Sequence, residues 1–266
     1  MSIQSSISGL STIEYKLDAI GNNIANAATV GFRETIPSFS ALYGATKSSG
    51  QSGIGATTAA LSRRLDQGSL KETGSTFDVA IVGKGLFQVQ REDGSLAYTR
   101  NGQFHRDADG YVVTTNGSKL MAATGPLKID AFVWSNIKIS DKGQISGTDG
   151  TRFPAEVESP PGIGYTVPGP LLFKDIASIN LFDFRNQQGL EPVGNGLFLE
   201  TASSGAAASY APGTQQIGLM RSGSVEESNV SLNDNLVNMI IAQREYQGNS
   251  QALKTLIEME QRLLKA

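Results

Sequence analysis

Both ends of this chain carry a helical stripe of apolar residues, and the long stretch between them does not. At the N-terminal end Ile3, Ile7, Leu10, Ile13, Leu17, Ile20 and Ile24 recur at spacings of three and four; at the other end Leu232, Leu236, Met239, Tyr246, Leu253, Ile257 and Leu264 do the same. A helical stripe has to be buried against something. The first helix is expected from Ser2 to Ala28, with Val30-Gly31 ending it and a one-residue slip from a seven-residue repeat between Leu10 and Ile13. The last is expected to start at Ser231 or Asn233, either of which could cap it, and to run to the final residues. Its seam also carries Gln243, Ser250 and Glu260, so it is amphipathic but incomplete. Periodicity leaves two partners open: the two helices pack on each other within one molecule, or they pack against other copies. The two ends are expected to gain order only when other subunits surround them.

The region between the stripes reads as β structure held between two connectors. Residues 33–75 are rich in Ser, Gly, Ala and Thr and are expected to form an extended or irregular connector. Short β-branched or aromatic segments follow at Phe77-Val82, Leu86-Val89, Leu96-Thr99, Tyr111-Thr115, Ile137-Ser140, Ile145-Ser146, Ile176-Phe184 and Leu197-Glu200. Turn pairs separate them: Asp93-Gly94, Asn101-Gly102, Asp109-Gly110, Asn116-Gly117, Lys142-Gly143, Asp149-Gly150 and Asn195-Gly196. An antiparallel domain of hairpins over 76–200 is therefore expected, with a long loop at 154–170 where five prolines cluster. Residues 201–227 read as a return connector, 201–216 being mostly Ala, Ser, Gly and Pro with almost no bulky side chain. The terminal segments 1–32 and 228–266 then form one discontinuous helical domain.

Composition argues against most chemistry. A net charge of −3 with no cationic stripe excludes a phosphate-backbone partner, so nucleic acid is not expected. There is no cysteine, which removes thiolate metal sites and cysteine nucleophiles. No segment approaches the roughly 20 apolar residues that span a bilayer, and the first residues lack the pattern of a cleavable signal. His105, the single histidine, sits in a turn-like Phe104-His105-Arg106-Asp107 run and is read as surface loop. Asp107-Ala108-Asp109-Gly110 begins like a calcium loop but lacks the later acceptors, so a turn is expected. Gly83-Lys84-Gly85 is too short for a phosphate loop and leads into a strand. Trp134 reads as core or domain-edge packing. No catalytic residue, metal site or cofactor is expected. A carbohydrate-binding module or enzyme on a β scaffold would need converging titratable groups or exposed aromatics, and the sequence offers neither.

Asn22-Asn23-Ile24-Ala25-Asn26-Ala27-Ala28-Thr29-Val30-Gly31-Phe32 resembles the N-terminal signature of the bacterial flagellar rod and hook proteins. Three further blocks resemble the same family in the same order. They are Phe77-Asp78-Val79-Ala80-Ile81 with Gly85-Leu86-Phe87, Tyr98-Thr99-Arg100-Asn101-Gly102-Gln103-Phe104, and Ser228-Asn229-Val230 with Asn238-Met239-Ile240 and Gln243-Arg244-Glu245-Tyr246. The resemblance implies a mixed α and β fold in which the terminal helices pair as a coiled-coil-like inner layer and the central antiparallel β domain lies outside. It also implies a structural, non-enzymatic subunit of the flagellar axial tube in the periplasm-spanning basal body. Copies of itself and related rod and hook proteins would be its partners. Export would run through the flagellar type III apparatus without a cleavable signal, and no membrane insertion is implied.

The residues expected to contact neighbouring subunits are Ile7, Leu10, Leu17, Ile20, Asn22, Asn23, Ile24, Asn26, Gly31, Phe32, Leu236, Met239, Ile240, Arg244, Tyr246, Leu253 and Ile257. The asparagine amides would satisfy backbone groups or bridge neighbours, Gly31 would permit chain reversal, and Phe32 would supply an apolar anchor just after the reversal. Chain length and the single β domain favour a rod subunit over a hook subunit. They place a proximal rod level ahead of a distal one, since Phe39 to Ile54 is short for the extra segment associated with distal subunits; a short hook-type subunit stays open.

Overall fold

The computed structural model describes residues 3–44, 52–130, 133–152, 171–214 and 217–265. The proline-rich loop at 154–170, Phe132 beside Trp134 and the segment 45–51 of the expected connector lie outside the described residues. The chain divides into two units, one made of Met1–Asp66 with Ser228–Ala266 and the other of Gln67–Glu227.

In the first unit α1 (Ile3–Ala25) and α2 (Leu232–Lys265) run antiparallel. The direction follows from their contacts: Gly9 lies at Asn249, Lys16 pairs with Glu245 at 3.0 Å, and Asn23 reaches Asn235 at 3.4 Å. Ile13, Ile20 and Ala242 are buried between the helices, with Leu17, Ile24 and Met239 packed against them. The ends of this chain thus already have partners within one molecule, unlike the expectation that they order only among other copies. A small residue at Ala242 and a glycine at Gly9 let the backbones approach; a Cβ on Gly9 would stand 3.1 Å from the Asn249 amide. α1 stops three residues short of the expected Ala28. The Asn26 side-chain amide donates to the Asn22 carbonyl at 2.9 Å, and Gly31 turns the chain in the left-handed region at φ 71°. Ser231 caps α2, its hydroxyl accepting from the Asp234 amide at 3.4 Å.

The expected connector at 33–75 is mostly a hairpin. Strands β1 (Thr35–Gly44) and β2 (Ser52–Arg63) pair antiparallel from Thr35 opposite Arg63 to Gly44 opposite Ser52, with two register irregularities. Its Ser and Ala residues give no clear alternation, yet the backbone ladder forms and serine hydroxyls add to it, Ser38 donating to Ala60 and Ser62 to Ile36. The rest of that stretch, from Gln67, belongs to the second unit and contributes β3 (Leu70–Glu72).

The second unit is built of short antiparallel strands. Its main sheet runs in the order Glu191–Pro192, Leu197–Leu199, β6 (Leu96–Thr99), β5 (Phe87–Gln90), Lys119–Ala122, Val112–Thr114 and Phe104–Arg106. A second sheet joins Ser135–Ile139, Gln144–Arg152 and Leu171–Ser178. Strand β4 (Val79–Val82) pairs with Leu219–Ser222. Phe87, Ile81, Leu120, Ile129, Ile145, Ile179 and Leu181 are fully enclosed at the centre, with Trp134 packed at the edge of this core.

Four sequence expectations change here. His105 lies in the strand Phe104–Arg106, opposite Val113, not in a loop. Asp149-Gly150 is no turn: it falls inside Gln144–Arg152, where the register breaks between Thr148 and Arg152. The expected strand at Ile176-Phe184 divides into Leu171–Ser178 and Leu181–Asp183. The return connector 201–227 supplies Ala208–Tyr210, Leu219–Ser222 and Ser224–Glu226, each paired with an earlier strand. Their composition hid them, because strands of three or four residues gain their order from the partner already in place.

Candidate assembly surface

The signature asparagines do three different jobs. Asn23 is buried at the end of α1, where its carbonyl oxygen accepts the Thr35 amide and its nitrogen donates to the Thr35 carbonyl, both at 2.9 Å. This is a side chain completing a backbone pair at the start of β1. Asn26 closes α1, accepting from the Thr29 hydroxyl at 3.1 Å, and Asn22 faces solvent.

Asn23 opens a chain of polar contacts across the unit. Asn235, buried on α2, donates to the Glu34 carboxylate at 3.0 Å, and the same carboxylate pairs with Arg64 at 2.7 Å. Asn229 accepts the Glu34 amide at 2.7 Å and donates to the carbonyls of Arg64 and Asp66 at 3.0 and 2.9 Å. Five side chains thereby fasten the end of α1, both ends of the hairpin and the start of α2. Of these, only Asn23 is among the expected contact residues; Glu34, Arg64, Asn229 and Asn235 are not. Asn235 stands four residues before Met239 and seven before Ala242, so the inward face of α2 could have been read from that spacing.

The expected contact residues separate by exposure. Ile20, Asn23 and Gly31 are buried inside the unit, and Leu10, Leu17, Ile24, Asn26, Phe32, Met239 and Leu253 are half-buried. Ile20 and Asn23 are thus taken up by contacts of the chain with itself. Ile7, Asn22, Leu236, Ile240, Arg244, Tyr246 and Ile257 are exposed. The sequence reading omitted Val237 and Ile241, which are 55% and 44% exposed. At 3.6 residues per turn, Leu236, Val237, Ile240 and Ile241 lie on the side of α2 opposite Asn235, Met239 and Ala242. They form a contiguous apolar face that the described residues leave about half exposed, and such faces mark contact sites. α2 is also longer than α1, at 34 residues against 23, and its last turns expose Ile257, Met259, Leu263 and Leu264.

The second unit gathers polar groups for structure. Arg100, in the Tyr98-to-Phe104 motif, is buried and pairs with buried Glu226 at 2.6 Å. Its other nitrogens donate to the carbonyls of Gly85 at 2.6 Å, Gly83 at 2.6 Å and Ile81 at 2.9 Å. Burial pulls the guanidinium below its usual value while Glu226 opposes that shift. The Gly83-Lys84-Gly85 loop therefore presents carbonyls to a cation, the inverse of a phosphate cradle. Gly102 is required by close approach: a Cβ there would lie 1.7 Å from the Val79 carbonyl oxygen. Asp107 accepts the Tyr111 amide at 2.6 Å and Gly110 takes φ 86°, so Asp107-Ala108-Asp109-Gly110 is a turn. Among the described residues no group of three His, Cys, Asp or Glu is placed to hold a metal, and no helix is long and apolar enough to cross a membrane.

Comparison with known proteins covers the length of the chain. Residues 3–33 match the family model described as "Flagella basal body rod protein", residues 80–147 match "Flagellar hook protein FlgE/F/G D1 domain", and residues 221–266 match "Flagellar basal body rod FlgEFG protein C-terminal". The flagellar basal-body rod protein FlgG of Bacillus subtilis is 34% identical over 278 positions, spanning 99% of this chain and 97% of the relative. That of Borreliella burgdorferi is 32% identical, spanning 93% and 91%. The flagellar hook protein FlgE of Escherichia coli is 25% identical over 394 positions, spanning 96% and 97%.

Proposed function

The chain belongs to the family of flagellar basal-body rod and hook proteins and is a structural rod subunit; on that premise we propose that its two-helix unit is the assembly element and that the apolar face of α2 is the surface neighbouring subunits cover. The observation carrying this reading is that Leu236, Val237, Ile240 and Ile241 stay exposed although the inner seam of the same helix is closed. A contact between such a face and a different surface of the next copy does not close on itself and propagates as a helical array. Packed side by side, α1 and α2 of successive copies form the coiled-coil-like inner layer, with Ile7, Asn22, Arg244, Tyr246 and Ile257 at contacts between subunits. Copies of this chain and related axial proteins are its partners, its place is the flagellar basal body, and it reaches that place through the type III export apparatus. It performs no catalysis and binds no nucleic acid.

A rod subunit is favoured over a short hook subunit by the alignments. The rod relatives align over 263 and 278 positions, close to the chain's own 266, whereas the hook relative needs 394 positions, and so long gaps, to align 96% of the chain. The same near-equal length weakens the size argument for a proximal level, because rod proteins named FlgG share it. The level is better taken as the one those relatives occupy. Imaging basal bodies from a strain lacking the chain reads it directly from where the axis stops. The assembly surface is tested by Leu236→Asp with Ile240→Asp. The variant protein should be exported and folded yet build no rod; normal basal bodies would refute the assignment.

A further inference from the structure

The unit Gln67–Glu227 is joined covalently to the rest of the chain only at Asp66–Gln67 and Glu227–Ser228. Just inside those links β3 pairs antiparallel with Ser224–Glu226, Leu70 standing opposite Glu226, Lys71 opposite Val225 and Glu72 opposite Ser224. Both links leave this pair at the same end. Tension that draws them apart therefore peels the pair from Leu70 and Glu226 inward, loading its hydrogen bonds one after another instead of together. Three residue pairs offer little resistance to peeling by themselves.

At the peeling end sits the most enclosed ion pair among the described residues of the unit. We propose that Arg100 and Glu226 form a mechanical lock that holds the two chain segments closed when load enters the unit through its covalent ends. One carboxylate oxygen of Glu226 accepts from Arg100 Nε at 2.6 Å, and the other accepts the backbone amide of Gly68, on the opposite segment, at 3.0 Å. Arg100 carries the connection into the core through the carbonyls of Ile81, Gly83 and Gly85. Outside it, the Glu227 amide donates to the Ser69 carbonyl and the Ser69 hydroxyl to the Glu227 carboxylate, both at 2.8 Å. Separating the two segments must break the Gly68–Glu226 and Ser69–Glu227 bonds before the ladder yields, and Arg100 holds Glu226 in place from the core against that pull. Thermal stability alone does not call for this arrangement, since well-packed apolar residues replace buried ion pairs at no loss in several proteins. The purpose of the lock rests on the rod-subunit reading, because a shaft component is where load would arise.

The chain has no cysteine, so Asp66→Cys with Ser228→Cys supplies two attachment points for optical tweezers at the ends of the unit. Opening rates at constant force are compared with zero-force unfolding rates and thermal midpoints, because forced unfolding is governed by the unfolding rate. For Arg100→Met with Glu226→Leu the opening rate under force should rise by at least about tenfold, with the zero-force rate changed by less than about threefold. An opening rate within about twofold of the parent, or an equal rise at zero force, overturns the lock. If the double variant does not fold, Glu226→Gln, which keeps an acceptor for Gly68 but loses the charge, is measured in the same way. A rise under force of about threefold then supports the lock, and no rise overturns it. Polymerisation plays no part in the pulling measurement, so its outcome and that of the assembly reading are separable.

Discussion

Replacing Asn23 by alanine removes both hydrogen bonds that join α1 to the start of β1. Each is 2.9 Å long, and Asn23 is only 2% exposed. Each bond is worth about 1 kcal/mol net, and a part-buried amide and carbonyl of Thr35 left without partners add roughly 1 kcal/mol more. Alanine returns about 0.5 kcal/mol through its better helix propensity. The expected loss is about 2–3 kcal/mol, confined to the helical unit. Hydrogen exchange on the monomer reads it well: protected amides of α1 and α2 should exchange roughly 30- to 150-fold faster, while amides of Gln67–Glu227 keep their rates. Asn22 is the control one residue away, exposed and without such bonds. Asn22→Ala should change the same amides by less than about threefold. Equal effects of the two substitutions would refute the assignment of the inward role to Asn23.

Three further outcomes are expected. Gly102→Ala places a methyl carbon 1.7 Å from the Val79 carbonyl oxygen, so it should lower the stability of the second unit by about 3 kcal/mol or more in denaturant melts, and a loss below about 1 kcal/mol would contradict the geometry. Tyr246→Ala, at an exposed position, should leave the monomer's thermal midpoint almost unchanged while abolishing motility and rod formation; motile cells with intact basal bodies would remove Tyr246 from the surface. The Lys174 ammonium and the Thr151 hydroxyl and amide hold the Asp149 carboxyl well below the ordinary aspartate range. A folded value that is depressed means this contribution is complete above the ordinary value of about 3.9 and is lost as the pH falls through the lower one. Carboxyl NMR titration should find Asp149 among the last aspartates to protonate on acidification, and Lys174→Met should move it back upward.

The sequence was informative where large side chains repeat and where glycine makes a turn unavoidable. Ile13, Leu17, Ile20 and Ile24 form the inner face of α1 as their spacing suggests, and Asn195-Gly196 takes the expected left-handed turn with φ of 54° and 69°. On α2 the stripe drawn through the largest residues caught Met239 but passed over Asn235 and Ala242, which complete the inward face. That face is set by Asn235, Met239 and Ala242, because close packing of two helices favours a small residue and the polar contacts need an amide, while Leu236 and Ile240 point away. Apolar periodicity cannot separate a face buried within the molecule from one reserved for another. The hairpin and the late strands were illegible for a different reason. Thr35–Gly44 and Ser224–Glu226 owe their order to backbone pairing, the first with the next strand and the second with Leu70–Glu72 far back in the chain, which side-chain pattern does not encode. The Arg100–Glu226 pair, 126 residues apart, belongs to the same class.

Electron cryomicroscopy of rods built from this chain, at side-chain resolution, tests the central claim most directly. Leu236, Val237, Ile240 and Ile241 of each copy should be buried against neighbouring subunits, with α1 and α2 keeping the contacts they make within one chain. Rods in which that face stays open to solvent, and in which copies touch only through Gln67–Glu227, would contradict it.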